Sequence, residues 1–266
     1  AYIVSIPRDT LVTVPAHRSQ DGTRDIPPLP GKINAAYAFG GAPLLIQTIE
    51  EKTNLQIDHY IEVSFAGFTG IVDALGGIEV CSKVAIDDPK SHLVLAAGTH
   101  TLNGIEALKY VRTRDFDGRG DIGRMERQQQ FVSAVLRKAT SSGVLLNPIK
   151  LTNFYNAAIS SVKMDAGMNK NDLLTLAKQL RNLSSGNVRT LTVPISNPNG
   201  RHPTAGSVVI WDDVLAANLW TKIRNDEALL ETVKPTASAS AKPVTIDKFK
   251  TKTAADNPCA AIDSRA

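Results

Sequence analysis

Across residues 68–84 the hydrophobic pattern changes period at a pair of glycines, which limits this chain to folds that mix α and β structure. Residues 68–75 carry apolar side chains at helical spacing, Gly76-Gly77 interrupts them, and residues 78–84 then read as a strand. The same mixture recurs on both sides. Residues 1–6 and 59–65 read as short strands, 102–111 and 122–139 as helices, and 188–193 and 208–210 as strands before a helix over 212–224. Asp121 is the expected N-cap of the 122–139 helix. Helices are also expected over 145–164 and 171–183. Another should begin near Pro43, where proline suits a first turn and Leu44, Leu45, Thr48 and Ile49 share a face. Residues 14–31, with four prolines and an Asp-Gly pair, read as one long loop.

The 266 residues, 42% of them hydrophobic, suffice for a substantial core. A formal charge of +4, from 30 basic and 26 acidic residues, permits an anionic partner; without a basic tail or an aromatic platform it does not indicate nucleic acid. No apolar run reaches the roughly 20 residues that span a bilayer. The chain opens at Ala1 directly in a strand pattern, so an upstream segment is expected to precede it. The expected organisation is one domain over 1–230, a low-complexity linker over 231–245 and a C-terminal tail over 246–266. Cys81 and Cys259 fall in no Cys-x-x-Cys or Cys/His pattern, which argues against zinc. They leave two alternatives, a disulfide in an oxidising compartment or two buried thiols in a reducing one.

The densest chemical signal is the run from Tyr110 to Gln128, which holds five arginines. Arg124, Arg127 and Gln128 stand at i, i+3 and i+4, so they share a helix side. Arg112 and Arg114 alternate, and in an extended piece both would point the same way. Planar guanidinium forks near a helix N-terminus suit phosphate or pyrophosphate. Asp115, Asp117, Asp121 and Glu126 offset that charge, so spacing alone favours a solvated salt-bridge network. Two further polar blocks, Ser5-Ile-Pro7-Arg8-Asp9-Thr10 and Gly31-Lys32-Ile-Asn34-Ala-Ala-Tyr37, read in isolation as a local ion pair and a solvated lysine. Gly118-Arg-Gly120-Asp-Ile-Gly123 matches a dinucleotide pattern, but no apolar strand precedes it and no acidic residue lies between Glu126 and Asp165. The chain has no H-E-x-x-H, G-x-S-x-G or Walker sequence, which disfavours zinc proteases, hydrolytic triads and P-loop chemistry.

Taken together, these blocks resemble the LytR-CpsA-Psr family, and specifically its actinobacterial members. The resemblance rests on six segments in order: Ser5 to Thr10, Lys32 to Tyr37, Asp58-His-Tyr60-Ile-Glu-Val63-Ser-Phe65-Ala-Gly-Phe68, Val72-Asp73-Ala-Leu75-Gly76-Gly77-Ile-Glu-Val80, Gly98-Thr-His-Thr-Leu102-Asn-Gly104-Ile-Glu-Ala107-Leu108, and the arginine run. It implies an α/β (α+β) fold with a central mixed β-sheet flanked by helices on both faces. It also implies an apolar tunnel for a polyprenyl chain, which Leu44, Leu45, Ile49, Phe131 or Val135 could line. The implied activity is phosphotransfer of a glycopolymer (teichoic acid, arabinogalactan or capsule type) from a polyprenyl-pyrophosphate carrier to peptidoglycan. The alternative is a noncatalytic module that binds the same lipid or polymer.

On this resemblance Arg8, Lys32, Arg112, Arg114, Arg124 and Gln128 contact the pyrophosphate. Arg8, Asp9, Arg112, Arg114 and Arg124 form the catalytic set, and Asn34, Asp121 and Arg127 support them. The implied cofactor is Mg2+ or Mn2+, but the two aspartates that hold it in the family lie before the Pro-Arg-Asp block, upstream of Ala1. No metal ligand is therefore expected within this chain, and weak or no transferase turnover is expected from it. The resemblance further implies an extracytoplasmic protein at the membrane and cell wall, held by a single N-terminal anchor, with Cys81 and Cys259 joined as a disulfide. Robust magnesium-dependent transfer by these 266 residues alone would overturn the expected absence of the metal ligands.

Overall fold

The structure, a computed structural model, describes residues 1–114, 120–141, 152, 156, 162–169, 171–172, 175, 185–233, 244–255 and 259. It mixes α and β as expected. The described strands pair as one three-stranded sheet, with Arg189–Thr192 between Tyr2–Ser5 and Lys252–Thr253, and seven two-stranded ladders. The chain divides into two compact units. One comprises Ala1–Ile3, His59–Thr190 and Lys252–Ala266; the other comprises Val4–Asp58 and Leu191–Thr251.

In the second unit, the proline-rich stretch expected to be a loop is two ladders in succession. Leu11–Val14 pairs with Leu29–Lys32, and His17–Arg18 with Asp25–Ile26. The prolines are tolerated because most stand outside the ladders, Pro15 beyond one strand and Pro27 and Pro28 between two others. Helix α1, Ile33–Thr53, is broken by non-helical Gly40 and Gly41. Gly41 sits at φ 65°, a conformation glycine reaches without a Cβ penalty, and Pro43 restarts the helix as expected. Leu44 is buried against Val12, Val14, Ile33 and Ala36, with Leu45 and Ile49 packed on the same cluster. A second cluster gathers Leu191, Val193, Trp211, Leu219, Trp220, Leu229 and Phe249.

In the first unit, helix α2, Phe65–Ala74, begins at Ser64, whose hydroxyl accepts the Gly67 N–H at 3.0 Å. Gly76 and Gly77, at φ 73° and 86°, turn the chain into the strand Ile78–Ser82, which pairs antiparallel with Gly98–Leu102. Asn103 and Glu106 then form a reciprocal capping box for helix α3, Gly104–Arg112. The start of α3 lies so close to α2 that a Cβ on Gly104 would stand 2.4 Å from the Thr69 carbonyl oxygen. The Asp73 carboxylate accepts the Gly104 N–H at 2.7 Å. Helix α4, Gly120–Ser141, buries Phe131 and Ala134 in the core made by α2, α3 and the strands, with Val135 packed against it. In this arrangement Leu44, Leu45, Ile49, Phe131 and Val135 are packing residues of their own units.

Two expectations need correction. The α4 helix starts at Gly120, so Asp121 lies inside its first turn rather than at the cap. Val162–Met164, expected as a helix end, is a strand paired with Ile61–Val63, because the Asp165 carboxylate holds the Tyr60 N–H at 2.8 Å and so fixes the antiparallel register. In the C-terminal tail, Phe249, Ala254 and Cys259 are buried. The rest of the expected 145–164 helix, most of the 171–183 helix and the middle of the linker lie outside the described residues. The linker's two ends, Glu231–Val233 and Val244–Ile246, form a ladder.

Cys81 and Cys259 form a disulfide across 178 residues, with Cα atoms 5.6 Å apart. Closing so long a loop lowers the entropy of the unfolded chain, a stabilisation of about 2–5 kcal/mol. The α5 helix, Asp213–Arg224 in the second unit, is capped by Asp212, which accepts the Leu215 N–H at 3.0 Å.

Two substitutions test these constraints by urea unfolding. Gly104→Ala should cost about 2 kcal/mol or more, because the opposing atom is backbone and cannot step aside. Gly76→Ala meets open space and should cost only about 1 kcal/mol, from its positive φ.

Candidate functional site

The arginine run is organised by the C-terminal end of α3. A helix leaves its last carbonyls without partners, and here α4 supplies them. Gln128 Nε2 donates to the Val111 carbonyl at 3.1 Å, and Arg127 donates through Nη2 to the Thr113 carbonyl. A cation at this end also opposes the negative pole of the helix. Thr113 is fully buried, and its hydroxyl donates back to the Lys109 carbonyl at 3.0 Å.

Arg112 is therefore the last helical residue and Arg114 stands two residues later, past a helix end rather than along a strand. The expected extended alternation is corrected, because the α3 pattern runs on through Arg112 and Thr113 is its C-cap. Arg112 is exposed, and its guanidinium lies over the Phe65 ring at 5.1 Å from the centroid. Arg114 is held by its backbone: its N–H donates to Asp88 Oδ2 at 2.8 Å.

Asp88 is a site residue that spacing did not reveal. Its carboxylate is buried, and its other oxygen accepts the Lys90 N–H at 2.8 Å and the Ser91 N–H at 3.3 Å. The only available signal was Asp88-Pro89, a turn-initiating pair. One buried carboxylate thus ties a turn to the arginine segment.

Of the residues expected to contact phosphate, Arg112, Arg114 and Arg124 belong to this unit. Gln128, expected there too, has its amide on the end of α3. Arg127 is buried, with its guanidinium on the end of α3. The Asp121 side chain lies outside what the structure describes, as do residues 115–119, Arg119 among them.

The Pro-Arg-Asp block and Lys32 belong to the other unit. After the first strand, the Pro7 carbonyl accepts both the Thr10 N–H at 3.1 Å and the Thr10 hydroxyl at 2.7 Å. Trp211 Nε1 donates to that hydroxyl at 3.2 Å, which keeps Thr10 wholly buried. Neighbouring backbone uses the remaining carbonyls: Asn34 N–H donates to Arg8, Val209 N–H to Asp9 and Ile33 N–H to Thr10. Asn34 therefore supports the turn through its backbone. The Arg8 side chain is left exposed, and Lys32 Nζ lies 3.7 Å from Asp9 Oδ1. Asp9 thus faces a cation of its own unit.

Among the described residues there is no group of three or more His, Cys, Asp or Glu side chains able to hold a metal ion.

Tyr110 adds an electrostatic feature beneath the arginines. Burial pushes its phenol up to about 12, against a partial opposing pull from Arg127, and its hydroxyl donates to the Cys81 carbonyl at 3.3 Å.

The model of the LytR_cpsA_psr family matches residues 1–225. Over 222 residues the chain is 38% identical to the probable cell wall biosynthesis protein LcpB of Corynebacterium glutamicum, covering 84% of this chain and 49% of that protein. Over 153 residues it is 41% identical to the polyisoprenyl-teichoic acid–peptidoglycan teichoic acid transferase TagU of Bacillus cereus, covering 55% of this chain and 46% of that one. The chain thus spans about half the length of these curated relatives. Among solved structures, Bacillus subtilis TagV superposes with a TM-score of 0.66 at 28% identity, over 85% of this chain and 83% of its own.

Two measurements probe the clamp. Arg127→Leu leaves the Thr113 carbonyl buried without its donor and should cost about 1–3 kcal/mol in denaturant unfolding. Tyr110 gives a pH signature. Between its ordinary value near 10 and about 12, the unfolded phenol ionises while the folded one keeps its proton. Stability should therefore be intact below pH 10 and fall by on the order of 2 kcal/mol as pH rises through that window. Tyr110→Phe should flatten that slope.

Proposed function

The chain belongs to the LytR_cpsA_psr family, in its actinobacterial form, and from that premise we propose that it is the catalytic body of a phosphotransferase of cell-wall assembly. Its donor is a glycopolymer on a polyprenyl-pyrophosphate carrier, and its acceptor is a peptidoglycan hydroxyl. The names of TagU and LcpB support this reading. The observation that carries it is the clamp at the end of α3, which fixes the backbone around Arg112 and Arg114 while leaving the Arg112 side chain exposed beside an apolar surface.

Phosphoryl transfer asks little covalent chemistry of the protein and much positioning. A hydroxyl attacks the phosphorus nearest the sugar and gives up its proton to solvent, the bond to the bridging oxygen breaks, and polyprenyl phosphate leaves. Charge then spreads over nonbridging oxygens, which guanidinium groups stabilise when they are already fixed in place. Arg112, Arg114 and Arg124 are the proposed phosphate contacts of the first unit, and Arg8 and Lys32 those of the second, each taken by itself. Ile61, Val63 and Phe65, each exposed in the unit that bears Arg112, suit the start of a prenyl chain. The longer apolar tunnel belongs to the same proposal.

Mg2+ or Mn2+ is the proposed cofactor of the whole protein, supplying charge neutralisation. The described residues do not form its site, so no step is derived through it. Location at the outer face of the membrane and wall, through an anchor outside these residues, is likewise proposed.

The test has two parts. Binding of a short-chain prenyl pyrophosphate to this chain should weaken about tenfold or more in Arg112→Ala, with thermal unfolding unchanged. An extended protein that includes the upstream segment should attach labelled polymer covalently to peptidoglycan and lose that transfer in the same variant. Binding without transfer would favour the noncatalytic module.

A further inference from the structure

Within the first unit lies a cavity of about 300 Å³ that none of the proposed phosphate contacts lines. It opens beside α4, with walls from the strands Ile78–Ser82 and Gly98–Leu102 and from the Lys252–Thr253 segment of the tail. We propose that this cavity is a binding site for a small, uncharged saccharide. The proposal stands on residues separate from the phosphate contacts, so it can fail without them and they without it.

The argument begins with what the walls offer. From α4 come Glu126, Gln129, Ser133 and Arg137, and from the facing strands Glu79 and Thr99. Gln129 and Ser133 are only 6% and 5% exposed. A helix face turned toward the interior is ordinarily apolar, since burying polar groups costs free energy unless they are hydrogen-bonded. On this face amide, hydroxyl and carboxylate groups converge instead, the mixture of donors and acceptors that sugar hydroxyls match. Beneath them Val80, Ala134 and Cys81 supply an apolar floor, suited to the C–H face of a sugar ring.

Charge narrows the class. Glu79 and Glu126 oppose an anion, while Lys83, Arg137 and Lys252 oppose a free cation, which leaves a neutral polar guest. Size narrows it further. Small-molecule sites run from about 300 to 1,000 Å³, so this one, at about 300 Å³, is at the lower limit and too small for a polyprenyl chain. The wall is also built to persist. Arg137 Nη1 donates to the Ala254 carbonyl at 2.7 Å, Thr190 pairs with Lys252, and the Cys81–Cys259 disulfide ties the tail to the strand behind it. A tail that packs this way holds a preformed cavity.

The experiment is calorimetric and saturation-transfer titration of the disulfide-intact chain with N-acetylglucosamine, galactose and arabinose, with inorganic phosphate as competitor. The expected result is saturable binding of at least one sugar that phosphate does not displace. Ser133→Phe, which fills the cavity, and Thr99→Val, which removes one hydroxyl at its exposed edge, should each weaken that binding tenfold or more. Thr99→Val decides the matter if Ser133→Phe does not fold. The proposal is overturned if no sugar binds saturably, if phosphate displaces the sugar, or if folded Thr99→Val binds as the unaltered chain does.

Discussion

The first unit depends on how the carbonyls at the end of α3 are satisfied. A nine-residue helix contributes little stability of its own, so α3 persists because both ends are held. Its N-terminus has a capping box and the Asp73 carboxylate. Its C-terminus has the Arg127 guanidinium and the Gln128 amide, brought there by α4. Because the two helices complete each other, Arg112 and Arg114 are presented on a frame. Asp88 extends that frame by anchoring the Arg114 backbone.

The second unit solves a comparable problem with different groups. The Pro-Arg-Asp-Thr turn must end a strand without wasting its carbonyls, and four elements share the work: the turn itself, the start of α1, the strand Gly206–Trp211 and the Trp211 side chain. Thr10 is the keystone, since its hydroxyl both donates to Pro7 and accepts from Trp211. The consequence is an exposed Arg8 on a rigid turn, where it need not be ordered on meeting an anion.

Much of this was legible beforehand where local rules suffice. The Gly76-Gly77 break, the proline restart of α1, the strand before Trp211 and the α5 helix all follow from pattern and cap chemistry. The ladders within 11–32 were not legible, because short strands rich in proline carry little periodicity and are held by pairing with each other. Asp88 and Thr113 were missed for a related reason. Each is polar and short, and each matters only through a backbone group brought near by the fold. Gln128 was legible as part of the arginine face, but not that its amide would be used on a helix end.

By itself the sequence determined the mixed α and β class, the family and the arginine-rich segment. These follow from order, spacing and residue type along the chain. Only the tertiary structure decided which polar groups hold others in place and which remain for a ligand, as the contrast between Arg127 and Arg112 illustrates. Both are arginines of one motif, yet one is buried on a carbonyl and the other is exposed against an aromatic ring. The physical reason is that a donor's role depends on which acceptor lies within about 3 Å of it, and that distance is set by packing between elements far apart in the chain.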